Sequence, residues 1–169
     1  MSRVEWERLF PAEIDCVVTV PDSMLTPVVR RVVETTGLDY LQTVHESQAV
    51  AVAVGLALAG RRPLVCMENS GLRAAGETIA RLVVLHQLPL LALVSDRGGY
   101  GDPNWWAQHH SDHMRGLISL FALVGAVAAT PAELTRALRG GLDVVATRMR
   151  AAVVVATPEL LEGLRRELG

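Results

Sequence analysis

Short apolar runs rich in β-branched residues alternate along the chain with longer stretches whose apolar positions recur every three to four residues. The first pattern predicts buried strands and the second amphipathic helices. Strands are expected over 14–20, closed by Pro21, and over 40–44, 63–67, 90–95, 124–129 and 151–156. Helices are expected over 24–36, with Ser23 as N-cap and Gly37 at the end, and over 46–59, closed by Gly60. Further helices are expected over 72–86, over 114–123 and from 131 to about 149. Thr130-Pro131-Ala132-Glu133 is a helix start with cap, Pro and a reciprocal Glu, and Thr157-Pro158-Glu159 repeats the device. Arg165 and Arg166 end the closing helix, where positive charge is favourable.

Continuous apolar strands separated by helices imply an α/β fold, a six-stranded parallel sheet with helices on both faces. The 169 residues fit one domain over 1–169. In such sheets ligands bind at the C-terminal strand ends. The loops there are Pro21-Asp22-Ser23, His45-Glu46-Ser47, Glu68-Asn69-Ser70-Gly71 and a long polar stretch over 96–110, and the polar residues concentrate in them.

Composition narrows the function. The formal charge is −2 without a basic run, so nothing points to nucleic acid. All 16 cationic side chains are Arg, and the absence of Lys excludes a lysine Schiff base or a P-loop. Cys16 and Cys66 lie inside apolar runs without metal or redox spacing and read as reduced core thiols. The polar start Met1-Ser2-Arg3-Val4-Glu5 is unlike a signal peptide, and no apolar run is long enough to span a bilayer. A soluble cytoplasmic protein is expected.

Glu46 is one acid between a strand end and an almost uncharged, small-residue helix. Burial of that helix places its carboxylate at the edge of an apolar interior, where charge is costly and a proton is readily shared with a ligand; the plainer reading is a surface glutamate favoured by the helix dipole. In Asn69-Ser70-Gly71, Gly71 permits a tight turn and its two neighbours offer hydrogen bonds. The stretch 98–113 holds Trp105-Trp106 and three His, unusual where aromatics are 4% of the residues. His109 or His110 is suited to relay protons or to hold an anion. The Trp pair fits a lid, a partner contact or an anchor in the core. His109 and His113, four apart, also suit zinc, as in a metal hydrolase, although no distant third ligand stands out. Arg73 and Arg97 suit an anionic substrate group.

These loops resemble the pyrimidine-binding domain of thiamine diphosphate-dependent 2-oxoacid decarboxylases, in particular sulfopyruvate decarboxylase alpha subunits and the N-terminal part of phosphonopyruvate decarboxylases. Val20-Pro21-Asp22-Ser23, His45-Glu46-Ser47, Met67-Glu68-Asn69-Ser70-Gly71-Leu72 and 88–98 carry the likeness, which extends over about residues 12–160. Glu68 departs from it, since the family commonly has Gln there. The resemblance implies that Glu46 hydrogen-bonds the aminopyrimidine ring nitrogen, favouring the tautomer that removes the thiazolium C2 proton. It implies Glu46, His109 and His110 as catalytic residues, and Pro21, Asp22, Glu46, Asn69, Ser70 and Gly71 as cofactor-binding ones. Ser23, Arg73, Arg97 and Gln108 are its expected substrate contacts, and no metal ligand is expected in this chain.

The Gly-Asp-Gly motif that holds diphosphate and magnesium in this family is absent; Gly101-Asp102 is followed by Pro103. A separate subunit carrying Gly-Asp-Gly and Mg2+ is therefore implied, with this chain in a hetero-oligomer that decarboxylates sulfopyruvate or phosphonopyruvate to an aldehyde. Two alternatives stay open: a carboligase subunit, and a non-catalytic regulatory subunit of the same fold.

Overall fold

The computed structural model describes residues 4–148 and 150–168. Six parallel strands form one sheet in the order β2-β1-β3-β4-β6-β5: β1 Cys16–Thr19, β2 Asp39–Gln42, β3 Pro63–Glu68, β4 Leu91–Ser95, β5 Val124–Ala128 and β6 Ala152–Ala156. The inner strands β1, β3, β4 and β6 are buried almost throughout because both faces are covered. Leu64, Cys66, Leu91, Leu93 and Val154 face one core, under α1 Trp6–Leu9, α2 Thr26–Thr36, α7 Pro131–Arg148 and α8 Pro158–Arg166. Val65, Met67, Ala92, Val94 and Val153 face the other. That core is covered by α3 Glu46–Leu58, α4 Asn69–Ala74, a π-helical segment Ile79–Val84 and α6 His110–Leu120.

β1 lies between β2 and β3, so the chain leaves β1 toward one side and later returns to the other. The loops that follow β1 and β3 diverge there, which opens a crevice at their C-terminal ends.

Several elements differ from the sequence expectation. The helix expected from Met24 begins at Thr26 without a side-chain cap; Asp22 closes the turn before it, its Oδ1 accepting from the Met24 and Leu25 amides at 2.7 and 3.0 Å, while Ser23 is exposed. The single helix expected over 72–86 is broken. It starts earlier, at Asn69, directly from the strand; it passes through a short α5 Gly76–Thr78 and widens into the π-helical turn. The Leu85 and Leu88 amides reach back five residues, to Ala80 and Val83. The helix expected over 114–123 starts four residues sooner, at His110, because His109 adopts a left-handed backbone (φ 67°) and turns the chain into the helix. His110, Asp112 and His113 are therefore helical residues. The Thr130–Glu133 capping box is present, with Glu133 Oε2 accepting from the Ala129 and Thr130 amides. Met149, the expected end of α7, lies outside the described residues, as do Met1, Ser2 and Arg3.

Cys16 and Cys66 are buried and unpaired. Burial pushes the Cys16 thiol up to about 11 and Cys66 higher still, so both are inert at neutral pH. Among the described residues no helix is long and apolar enough to cross a membrane.

Leu93, fully buried in the central strand β4, tests the packing. Leu93→Ala is expected to cost about 2–5 kcal/mol in urea unfolding. A loss under about 1 kcal/mol would mean that this core is not close-packed.

Candidate functional site

Four turns meet at the C-terminal end of the sheet. The α3 start brings Glu46, whose helix is capped by His45: its Nδ1 accepts from the Ser47 amide at 3.1 Å. Glu46 is half-buried, and its carboxylate has no ion-pair or hydrogen-bond partner among the described residues. Its side chain lies against Gly71. A Cβ on Gly71 would stand 2.6 Å from Glu46 Cγ and 2.8 Å from Met67 Sδ, so only glycine leaves room for the acid. The α3 and β3–α4 motifs are thus one unit in space.

Asn69 is buried and ties the β3 loop to the β4 loop, its Nδ2 donating to Asp96 Oδ1 (3.1 Å) and to the Arg97 carbonyl (2.8 Å). Its Oδ1 is buried with no partner among the described residues. Ser70 Oγ donates to Glu68 Oε1 at 2.7 Å. Across the crevice, Asp22 has its Oδ1 occupied by the Met24 and Leu25 amides, while Oδ2 is buried without a partner among the described residues. Burial pushes this carboxyl above the usual carboxylate range, against the pull of the Leu25 and Met24 amides, and the nearby Glu68 charge adds to the rise.

The loop over 96–110 is ordered by one acid that its sequence only hinted at. Asp102 accepts from the Gly98 amide (2.7 Å), the Asn104 amide (2.9 Å) and Asn104 Nδ2 (2.8 Å), with Arg97 Nε at 3.5 Å. The Gly98 amide is the main reason that the Asp102 carboxyl is held down to about 2. Gly98 itself has φ 75°, and a Cβ there would stand 1.7 Å from the Ala107 carbonyl oxygen, so the loop doubles back tightly on it. Asp-Pro-Asn was the readable signal, a turn whose Asp bonds its own backbone two residues on.

Arg97 is only 8% exposed. Its Nη1 donates to Ser23 Oγ at 3.4 Å, and its guanidinium stacks 5.0 Å from the Trp106 ring centroid. Trp106 meets the His110 ring edge to face at 6.3 Å. His110 Nδ1 stands 3.6 Å from Glu68 Oε1. The aromatic loop therefore joins the site through Trp106 and His110. Neither Trp is a core anchor, since Trp105 is 79% and Trp106 47% exposed.

The remaining expected residues lie further out. Pro21 and Gln108 are exposed, and so is His109, whose ring faces His113 at 6.1 Å. Arg73 is exposed and pairs with His113 Nδ1 at 2.9 Å. That contact takes His113 away from His109, and no group of three His, Cys, Asp or Glu able to hold a metal occurs among the described residues. A cavity of about 560 Å³ lies at the opposite end of the strands, by Pro63, Leu91 and Arg139, away from the polar cluster.

Sequence reading passed over Asp96 and Asp102 and treated Glu68 only as a departure. The site as built offers an unpaired carboxylate, a buried amide oxygen, a protonatable carboxyl, an imidazole and a guanidinium around one crevice.

The depressed Asp102 carboxyl gives a testable loop response. Its contribution is present above the ordinary carboxylate range of about 3.9 and is lost as pH falls toward 2. Asp102→Asn is expected to raise Gly98 amide exchange at least tenfold at neutral pH, and to lack the acid dependence expected of the native chain. An unchanged Gly98 amide would show that other contacts hold the loop.

Comparison with known proteins agrees with this architecture. Residues 4–115 match the family model described as thiamine pyrophosphate enzyme, N-terminal TPP binding domain. The chain is similar to the sulfopyruvate decarboxylase subunit alpha of Methanococcus maripaludis, 27% identical over 57% of this chain and 58% of the relative. The Methanothermobacter thermautotrophicus subunit alpha is 32% identical over 60% of this chain and 61% of that protein. Phosphonopyruvate decarboxylase of Streptomyces hygroscopicus is 30% identical over 78% of this chain, but this is only 32% of its length. The chain thus spans less than two thirds of each of these relatives. In three dimensions it superposes with a TM-score of 0.64 on 2-oxoglutarate:ferredoxin oxidoreductase from Magnetococcus marinus, at 17% identity, over 92% of this chain and 28% of that one; the likeness is one of fold. With the family model covering most of the chain, and Glu46 and Gly71 packed together at the sheet's switch point, the chain belongs to the thiamine pyrophosphate enzymes, as their N-terminal TPP binding domain.

Proposed function

We propose that this chain is the pyrimidine-holding subunit of a split thiamine diphosphate-dependent decarboxylase. The substrate would be a small 2-oxoacid with a second anionic group, such as sulfopyruvate or phosphonopyruvate. The observation that carries the reading is the unpaired Glu46 carboxylate in the space that Gly71 leaves open.

The donor set fits an aminopyrimidine. Such a ring presents one nitrogen that takes a proton and an amino group that gives one. Glu46 supplies the acid, and the buried Asn69 Oδ1, without a protein partner among the described residues, supplies an acceptor. Pro21, Asp22, Ser70 and Gly71 complete the wall. The diphosphate and its magnesium have no counterpart motif in residues 1–169, so a Gly-Asp-Gly elsewhere would hold them, and the proposal places it on a second chain. Relatives named as alpha subunits support the same arrangement. The expected assembly is at least a heterotetramer.

Bound thiamine diphosphate supplies the electron sink that lets a 2-oxoacid release its carboxylate as carbon dioxide. This chain's own residues do the rest. Glu46 holds a proton at its carboxylate for exchange with the pyrimidine ring nitrogen. His110, at the crevice, carries a proton to or from the reacting substrate. Arg97, held between Ser23 and Asp102, provides positive charge for the substrate's second anion, with Arg73, His109 and Gln108 available at the rim.

Two measurements test this. The isolated chain should show no decarboxylase turnover, and co-expression with a Gly-Asp-Gly chain should restore it. Full turnover by the isolated chain would contradict the split design. Within the complex, Glu46→Gln should lower kcat by about 100-fold or more with assembly intact, and Gly71→Ala should lower it by displacing Glu46. Native rates in Glu46→Gln would remove Glu46 from this role.

A further inference from the structure

Glu68 is an acid of the crevice to which the proposed reaction gives no role, and its Oε1 stands 3.6 Å from His110 Nδ1. It ends β3 and is half-buried, its side chain 18% exposed. Its Oε1 accepts from Ser70 Oγ at 2.7 Å and faces His110 Nδ1 at 3.6 Å. The His110 side chain is 11% exposed, and Nδ1 itself is buried with no hydrogen-bond partner among the described residues. A buried ring nitrogen left unbonded is costly. The acceptor placed to relieve it is Glu68 Oε1, at 3.6 Å, a separation of the kind that catalytic hydrogen bonds shorten when a ligand tightens a site.

The ring is also held on another side. Trp106 packs against His110, and Arg97 packs over Trp106, itself fixed by Ser23 and Asp102. Ser70 fixes the carboxylate. The imidazole thus sits between an aromatic wall and a carboxylate, with Nδ1 on the carboxylate side. When one ring nitrogen donates to a carboxylate, the tautomer is set and the other nitrogen is the one that exchanges protons.

We propose that Glu68 is a positioning residue for His110: it accepts a hydrogen bond from Nδ1–H, fixes that tautomer, and so commits Nε2 to proton exchange with the ligand. The single turn Glu68–Gly71 then has two jobs. At its start it orients His110 through Glu68, and at its end it makes room for Glu46 through Gly71. Other charged groups lie on the elements around this pair: Asp22 on the β1 loop, Asp96, Arg97 and Asp102 on the β4 loop, Glu46 on α3, and the Arg73–His113 contact between α4 and α6. Of these, Asp96 is engaged by Asn69 and Ser111, and Asp102 by its own loop. Glu68 is the carboxylate that stands within 4 Å of Nδ1 among the described residues.

The consequence for catalysis rests on the decarboxylase reading, but the tautomer does not, so the two fail separately. Imidazole 15N–1H correlation spectra of the full chain, assigned with His110→Gln, should show His110 protonated at Nδ1. Glu68→Leu should move that proton to Nε2, and Glu68→Gln, which keeps an acceptor oxygen, should retain it on Nδ1. A His110 tautomer unchanged in Glu68→Leu would overturn the proposal, as would an Nε2–H tautomer in the native chain. In the active complex, Glu68→Leu should lower kcat by about tenfold to a hundredfold with KM within about threefold, while Glu68→Gln recovers most of the rate. A native kcat in Glu68→Leu would overturn the catalytic part. A complex without decarboxylase activity would contradict the proposed function and leave the tautomer result to decide the role of Glu68.

Discussion

The whole site depends on the close approach of a helix start to a strand-end turn. Gly71 has no Cβ, and the Glu46 side chain fills the space that one would take. This contact joins two segments 25 residues apart in the sequence (71 − 46) and fixes an acid at the mouth of a parallel-sheet crevice. The rest of the fold serves to hold those two segments still. Strands β1 and β3 are buried on both faces, and the small side chains of α3, Ala49 and Ala53 among them, let that helix lie close to the sheet.

A second constraint works beside the first. Asp102 pins a glycine-rich loop to itself, and the loop in turn carries Arg97 and Trp106 to the crevice. Arg97 is satisfied by an acid, a hydroxyl and an aromatic face together, which makes its burial tolerable. The same arrangement leaves Trp105 outside. An exposed Trp beside a Trp stacked under Arg97 gives the loop one residue facing the site and one facing outward.

The strands and most helices were legible in the sequence because burial on both faces writes itself as continuous β-branched runs, and because devices such as Thr130-Pro131-Ala132-Glu133 act locally. Glu46 was legible because a lone acid beside an uncharged helix is anomalous. What escaped depended on tertiary contact. Asp22 rather than Ser23 closes the turn that leads into α2, since both residue types favour such turns and only the turn geometry chooses between them. The π-helical turn after Gly76 leaves no periodic signature that differs from an α-helix over so few residues. His110 separates from His109 only because the latter takes a left-handed backbone and swings outward. The link from Trp106 through His110 to Glu68 spans three elements, and no local pattern encodes it.

On the proposed function, the Glu46 carboxylate controls the proton of the bound cofactor. The direct measurement is hydrogen–deuterium exchange at the thiazolium C2 position of thiamine diphosphate bound to the reconstituted complex, followed by NMR after rapid acid quench, in native and Glu46→Gln forms. The account predicts exchange at least about 100-fold slower in Glu46→Gln at equal cofactor occupancy. Equal exchange rates in the two forms would contradict it.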